Sequence, residues 1–537
     1  MSKFVITYDI GTTGIKTCLI EIDKEIKILG SATAGYNLYV DEETGAKGGA
    51  EQDADEWWEA MCTTTKTVFE KVPNVTKEQV EGISFCSAMQ GLVLVDKEGK
   101  GIRRPMTYMD QRAREELKKG IAYGVQVAGA EVTKLLKYLR YTGAVSSSVK
   151  DPIWKYKWVE AHEPENFKKI YKWLDIKEYL ICRASGEFVM TNDSAFGTLL
   201  YDTRKGHEGW CKPICDMVGV NIEHMPPIKK STEKVGEVTE SAAAELGLAA
   251  GTAVYGGGGD ASLIGVGAGA VDYGDTHIYS GTSGWVGTVV EKQVVDAGAM
   301  MAAIVGADPE AYNYFAELET SNKCVGWVKD HLALDEIGVF LKKYGNAADS
   351  LEQVEFNMYD YLEEVIDTIP AGSNGVVFTP WLHGNRCPFE DPNAAGMFFN
   401  IRLDTGKTEL IRSVVEGICF HMRWMLERQE NKVKTSKAIR FCGGGALGET
   451  TCQILADILQ REVVVVESPQ NIGAVGAAAC IAVGMGLIPT MKDVKKLIPI
   501  KTTYKPNPST KAVYDRNFEV FKNLYKCNKK NFAILNG

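Results

Sequence analysis

Two short turns, half a chain apart, constrain this sequence more than any other feature. Phe4 to Asp9 is a β-rich run, Gly11-Thr12-Thr13-Gly14 is turn chemistry, and Ile15 to Ile22 is a second run ending at Asp23-Lys24. His277 to Glu291 repeats this plan around Gly281-Thr282-Ser283-Gly284. Placing Gly11 on Gly281 superposes the turns and brings Glu21 onto Glu291. The spacing predicts two β-hairpins, one in each of two similarly built units that face each other. A chain of 537 residues also exceeds what one hydrophobic core usually holds.

Between the hairpins, Val159 to Tyr171 and Trp173 to Arg183 read as helical. Ala242 to Gly247 ends a short helix before the Gly-rich stretch Gly251 to Gly269, where the domain change is expected, giving domains 1–264 and 265–537. Next come an acidic, mixed-charge helical region (Leu334 to Ile369), a loop with Pro380, Pro388 and Pro392, and a long helix from Thr408 to Asn431. The pattern then alternates: strand Ala438 to Cys442, helix Glu449 to Leu459, strand Glu462 to Glu467, helix Gly473 to Val483. Such alternation predicts an α/β fold with both sheet faces covered. The lysine-bearing tail from Lys492 onward reads as a solvated cap.

Charge narrows the partner. With 60 Lys+Arg against 70 Asp+Glu, the net charge of −10 gives no electrostatic support for nucleic acid or an anionic membrane, so a small-molecule partner is expected. The first residues lack the apolar core of a secretory signal, and the 13 cysteines are odd in number and scattered, which predicts reduced thiols in a cytoplasm. Cys211 and Cys215 have the wrong spacing for a CxxC pair, so the cysteines read as small buried hydrophobes and no metal-cysteine site is expected. Ser468 to Met491 carries no charge but is rich in Ala and Gly, the composition of a close-packed interior helix rather than a membrane span.

Three Gly-rich turns follow strands: Gly11 to Gly14, Gly281 to Gly284, and Gly443-Gly444-Gly445-Ala446. Glycine lets backbone N–H groups approach an anion, and Thr or Ser adds hydroxyl donors, so each suits a phosphate; singly, each equally suits a tight structural turn. Gly443, Gly445 and Gly448 also match G-x-G-x-x-G, with Glu467 nineteen residues beyond Gly448, so an NAD-dependent oxidoreductase is the rival class. Against it, only 53 residues remain after the next helix, too few for the further βαβ units. Asp404-Thr405-Gly406-Lys407-Thr408 looks like a P-loop, but Ile401 stands where glycine is required, so it reads as a turn and helix start. Asp260, flanked by Gly256 to Gly259 and Ala261, is open enough to act as a general base toward a hydroxyl; a helix-capping aspartate is the alternative. Asp9 is placed to hold Mg²⁺, and Lys16 to reach a phosphate, an exposed strand lysine being the alternative for the latter.

Taken in order, Asp9 to Lys16, Glu51-Gln52-Asp53-Ala54-Asp55-Glu56-Trp57-Trp58, Gly257-Gly258-Gly259-Asp260, Gly281-Thr282-Ser283 and Asp391-Pro392-Asn393-Ala394-Ala395-Gly396 resemble the FGGY carbohydrate kinases, nearest their xylulokinase branch. The similarity runs from about residue 4 to 487 and departs at Asn400, where the family usually has glycine. It implies two actin-like, ribonuclease-H-like ATPase domains around a cleft where ATP, Mg²⁺ and a sugar meet, and a homodimer is compatible with it. By the same resemblance Asp260 is the catalytic base that also holds the sugar, and Asp9 is the acid near Mg²⁺. Thr12, Thr13 and Lys16 line one phosphate loop, Gly281, Thr282 and Ser283 the other, and Gly443, Gly444 and Gly445 the adenosine side. Met89 and Gln90 stand where xylulokinases usually carry Met-His, and Asp110 where an aspartate holds sugar hydroxyls, a loop aspartate paired with Arg112 being the alternative. The implied reaction is phosphorylation of D-xylulose to its 5-phosphate. Because glutamine cannot protonate as imidazole can, gluconate, L-ribulose, erythritol or another polyol is the alternative substrate.

Overall fold

The computed structural model describes residues 2–127, 130–333 and 359–537. β1 (Lys3–Ile10) and β2 (Gly14–Ile22) pair as the first hairpin, with Asp9 opposite Lys16, and β3 (Ile26–Gly35) extends it antiparallel. α1 (Ala54–Lys71) starts where the Asp53 side chain accepts the Asp55 N–H, and carries the chain back so that β4 (Val80–Ser87) lies parallel to β1, a connection that requires such a crossover. An insertion containing α2 (Pro152–His162) and α3 (Ile176–Ser185) precedes β5 (Ala253–Tyr255), which pairs parallel to the other edge of β4. α4 (Asp260–Gly267) then leaves the sheet.

The second half repeats this order. β6 (Thr276–Ser280) and β7 (Gly284–Val290) form the second hairpin, and β8 (Tyr312–Leu318) extends it. α5 (Lys407–Glu430) crosses over to β9 (Ala438–Cys442), which lies parallel to β6. α6 (Glu449–Leu459) leads to β10 (Glu462–Val466), parallel to β9, and α7 (Ile472–Gly484) leaves the sheet. The sheets therefore run β3-β2-β1-β4-β5 and β8-β7-β6-β9-β10, the same order twice.

The halves meet where α4 and α7 cross. α7 is almost wholly buried, and its side chains share one core with Leu263 of α4 and with Val5, Cys18 and Cys86 of the first sheet. Close approach explains its Ala and Gly content: a β-carbon on Gly476 would overlap the Leu263 carbonyl oxygen, and one on Gly267 the Ile472 carbonyl oxygen. The uncharged stretch is thus the interior helix its composition implies, and no described helix is long and apolar enough to cross a membrane. All cysteines except Cys62 and Cys527 are buried.

Three expectations fail. The tail does not form a solvated cap: β11 (Ile500–Tyr504) adds an antiparallel edge to β10, and α8 (Lys511–Asn536) buries Tyr514, Phe518, Phe521, Leu524, Tyr525 and Phe532 in the second core. These residues recur at helical spacing on one face, while Lys526, Lys529 and Lys530 lie on the exposed one. Nor is Trp173 helical. Lys172–Leu174 is a strand antiparallel to Val93–Val95, and α3 begins only after Asp175, whose carboxylate accepts the Ile176 N–H. The helix read from Val159 breaks at Glu163-Pro164, having started at Pro152. Of the mixed-charge region, residues 334–358 lie outside the described residues, and 359–367 are helical.

Candidate active site

The turns that drew attention in the sequence all lie at the carboxyl ends of parallel strands, where open α/β sheets bind ligands. The first ends β1, Met89-Gln90 follows β4, and Asp260 follows Gly258-Gly259, which pairs with Cys86-Ser87 of β4. The second ends β6, and Gly443 to Gly445 follows β9. Each hairpin turn closes on itself from its first glycine: the Gly11 N–H donates three residues on to the Gly14 carbonyl at 2.9 Å, and the Gly281 N–H two residues on to the Ser283 carbonyl at 2.9 Å. Thr12 is half-buried and hydrogen-bonded to the Tyr108 hydroxyl at 3.1 Å, while Thr13 and Thr282 are exposed. Gln52 Nε2 donates to the Thr12 carbonyl at 2.5 Å, which gives the Glu51-Gln52 motif its structural purpose.

Asp260 opens α4 and accepts the Ala261 N–H on Oδ1 at 2.7 Å; among the described residues its Oδ2 has no partner. Burial pushes its carboxyl up to about 7, with the Asp9, Glu317 and Asp175 charges adding to the effect. Burial also raises Asp9, which Lys16 opposes. Asp9 and Asp260 both push up the hydroxyl of Tyr279, already raised by burial. Tyr279 belongs to β6, so the two carboxylates of the first half face the second half's hairpin. Gly473 completes the contact: a β-carbon there would sit 2.9 Å from Asp9 Oδ2. Lys16 spans the halves, donating to the Gln470 carbonyl at 3.0 Å.

Met89 packs on Gly259, where a β-carbon would overlap its sulfur, and Gln90 Nε2 donates to the Gly197 carbonyl at 3.3 Å. Both are half-buried, Met89 against the residue that precedes Asp260. Asp110 differs. Its carboxylate is 0% exposed and engaged by Arg112 at 2.6 Å and the Ala50 N–H at 2.8 Å, so this segment presents the exposed Tyr108 and Met109 instead. On the second half, Gly443 (φ +90°) lets the chain pass against the Ser280 carbonyl, where a β-carbon would stand only 2.5 Å away. A cavity of about 430 Å³ opens behind these turns, lined among others by Thr282, Asn322, Glu363, Ile418, Gly445 and Leu455. That is small-ligand size.

The chain matches the model for the FGGY family of carbohydrate kinases, N-terminal domain, over residues 4–267, and that for the C-terminal domain over 277–485. It belongs to the FGGY family of carbohydrate kinases. Among curated relatives, the kinase is 27% identical to a xylulose kinase of Bacillus subtilis over 530 residues, covering 98% of this chain and 97% of the other. It is 25% identical to a gluconokinase of the same organism over 527 residues, with 98% and 96% covered. The ligand-bound crystal structure of a xylulose kinase from Lactobacillus acidophilus superposes with a TM-score of 0.82 at 23% identity, covering 99% of this chain and all of the other. The two-domain actin-like fold and phosphotransferase activity on a carbohydrate follow. The oxidoreductase reading is overturned: β9-α6-β10 sits in a kinase's second sheet, and Glu467 is an exposed residue just past the carboxyl end of β10. At the family's usual glycine, Asn400 adopts φ +69° and donates to the Gly375 carbonyl at 3.0 Å, a left-handed position asparagine tolerates.

Sequence reasoning missed Tyr108, Glu317, Asn322 and Glu363. Glu317 sits on β8 and pairs with Arg386 at 2.8 Å; Glu363 hydrogen-bonds Thr451 N–H at 3.1 Å beside the cavity. Their neighbours in space lie far off in sequence, so no local motif marks them.

Proposed function

We propose that this kinase transfers the γ-phosphoryl group of ATP to a hydroxyl of D-xylulose, giving the 5-phosphate. The observation that carries the reading is the half-free Asp260 carboxylate, set between Met89-Gln90 and the second half's hairpin. The sugar hydroxyl gives its proton to Asp260 Oδ2 as its oxygen bonds to phosphorus and the bond to the ADP oxygen breaks. Thr12, Thr13 and Lys16 meet the phosphates from one side and Gly281, Thr282 and Ser283 from the other, while Gly443, Gly444 and Gly445 border the adenosine. Mg²⁺ bound with the nucleotide would neutralise phosphate charge; a half-buried carboxylate together with substrate phosphates suits that ion, and Asp9 would hold it. Met89 and Gln90 touch the sugar, and Asp110 acts on it through the Tyr108-Met109 turn it braces. Closure of the halves excludes water that would otherwise take the phosphoryl group.

Gluconate is the second reading, supported by Gln90 and by the similarity to a gluconokinase. ADP release measured with D-xylulose, L-ribulose, gluconate, erythritol and glycerol separates them. D-xylulose is expected to give the highest kcat/KM; a higher value for gluconate replaces the substrate, and no stimulation by any of them defeats the reading.

A pH dependence follows from Asp260. A base must be deprotonated, and with the carboxyl pushed up to about 7 the active form is lost as pH falls through that value. At saturating ATP, kcat/KM for the sugar is therefore expected to rise with pH through about 7 and then level. A flat profile between about pH 5 and pH 9 contradicts this assignment.

A further inference from the structure

Gln90 has φ +63°, a left-handed conformation that a residue with a side chain keeps only where its surroundings over-determine it. Those surroundings are two buried charges. The Gln90 and Gly91 N–H groups donate to Asp175 Oδ2 and Oδ1 at 2.9 and 2.8 Å. On the other side, Lys155 Nζ donates to the Gln90 carbonyl at 2.7 Å and to the Thr107 carbonyl at 2.7 Å. One ammonium thus ties the Met89-Gln90 turn to the turn bearing Tyr108 and Met109. Lys155 is 0% exposed and Asp175 3%, so neither has surface to offer a ligand. Burial pulls the Lys155 ammonium down to about 8, with Asp110, Asp175 and Asp151 opposing, and pushes Asp175 up. Keeping such groups charged in an interior is costly unless their hydrogen bonds repay it, and the bonds here all go to backbone that faces the cleft or starts α3.

We propose that Lys155 and Asp175 are positioning residues that clamp the two sugar-facing turns in one register and so set which sugar fits. This rests on the reading that Met89 and Gln90 contact the sugar. The clamp acts through the peptide groups of Gln90, Gly91 and Thr107, while Lys155 and Asp175 themselves lie outside any motif that marked the site in the sequence.

Three variants test it: Lys155→Met, the double variant Lys155→Met with Asp175→Asn, and Gly91→Ala. The added methyl of Gly91→Ala would sit 2.7 Å from Asp175 Oδ1, displacing the clamp while both charges remain. Expected is a rise in sugar KM of about tenfold or more in each, as losing a charge-assisted hydrogen bond allows, with KM for ATP changed by less than about twofold. The substrate preference between D-xylulose and gluconate shifts as well. In the double variant the sugar KM stays high, because the asparagine amide offers a single acceptor oxygen where the Asp175 carboxylate accepts the Gln90 N–H on one oxygen and the Gly91 N–H on the other. A sugar KM that returns to the wild-type value in the double variant, or one unchanged in Gly91→Ala, overturns the clamp. If Lys155→Met does not fold, Gly91→Ala decides alone. A wild-type chain that phosphorylates no sugar defeats the underlying reading, whereas a wild-type enzyme that does, with variants of unchanged sugar KM, defeats the clamp only.

Discussion

Asp260→Asn is expected to lower kcat by ~10²-fold or more, the usual loss when a general base is removed, while sugar binding by calorimetry persists. Asparagine keeps the shape and can still accept the Ala261 N–H that Asp260 Oδ1 holds at 2.7 Å, so the start of α4 is preserved. What it loses is the proton acceptor at Oδ2. The size of the effect separates this role from its rival. A residue that only starts a helix contributes about 1 kcal/mol to stability and nothing to the chemical step. Turnover within a few-fold of wild type, with an unchanged thermal transition, would assign Asp260 to capping instead.

The second large effect concerns the joint between the halves. Gly267→Val is expected to cost about 3 kcal/mol or more, because the new side chain must displace the Ile472 carbonyl where α4 crosses α7. In an exposed helix the removal of a glycine would instead stabilise by up to about 1 kcal/mol, so the sign itself is informative. Since α7 shares its core with the first sheet, the damage should spread to both halves. Calorimetry should show a lower and broader transition, and activity should fall with the population of correctly joined halves. A thermal transition equal to the wild type's would mean that the crossing does not hold the two sheets together.

Much of this was legible before any coordinates, and the reasons are local. Hairpins announce themselves through short β-rich runs around Gly-Thr turns, so both phosphate-facing turns and their repetition could be read directly. The small-residue composition of α7 likewise told of burial, because only Ala and Gly permit backbones to touch as they do at Gly476. The tail misled because its lysines outweighed, in a reading by composition, the one-faced spacing of Tyr514, Phe518, Phe521 and Tyr525 that fixes α8 in the second core. Trp173 misled because an apolar run of that length suits a strand or a helix equally until Asp175 is recognised as the start of α3. Lys155, Asp175 and Glu363 were invisible for another reason. Each acts on backbone or side chains distant in sequence, and a buried charge carries no signature until its partners are known.

The central claim is that the two repeated halves hold the triphosphate between their hairpin turns and leave Asp260 to take the proton. A crystal structure of the wild-type enzyme with D-xylulose, Mg²⁺ and a non-hydrolysable ATP analogue tests it most directly. The account places the γ-phosphate between Gly11–Gly14 and Gly281–Gly284, with the accepting hydroxyl about 2.6–3.2 Å from Asp260 Oδ2. A nucleotide bound away from both turns, or a sugar whose hydroxyls all lie beyond reach of Asp260, would contradict it.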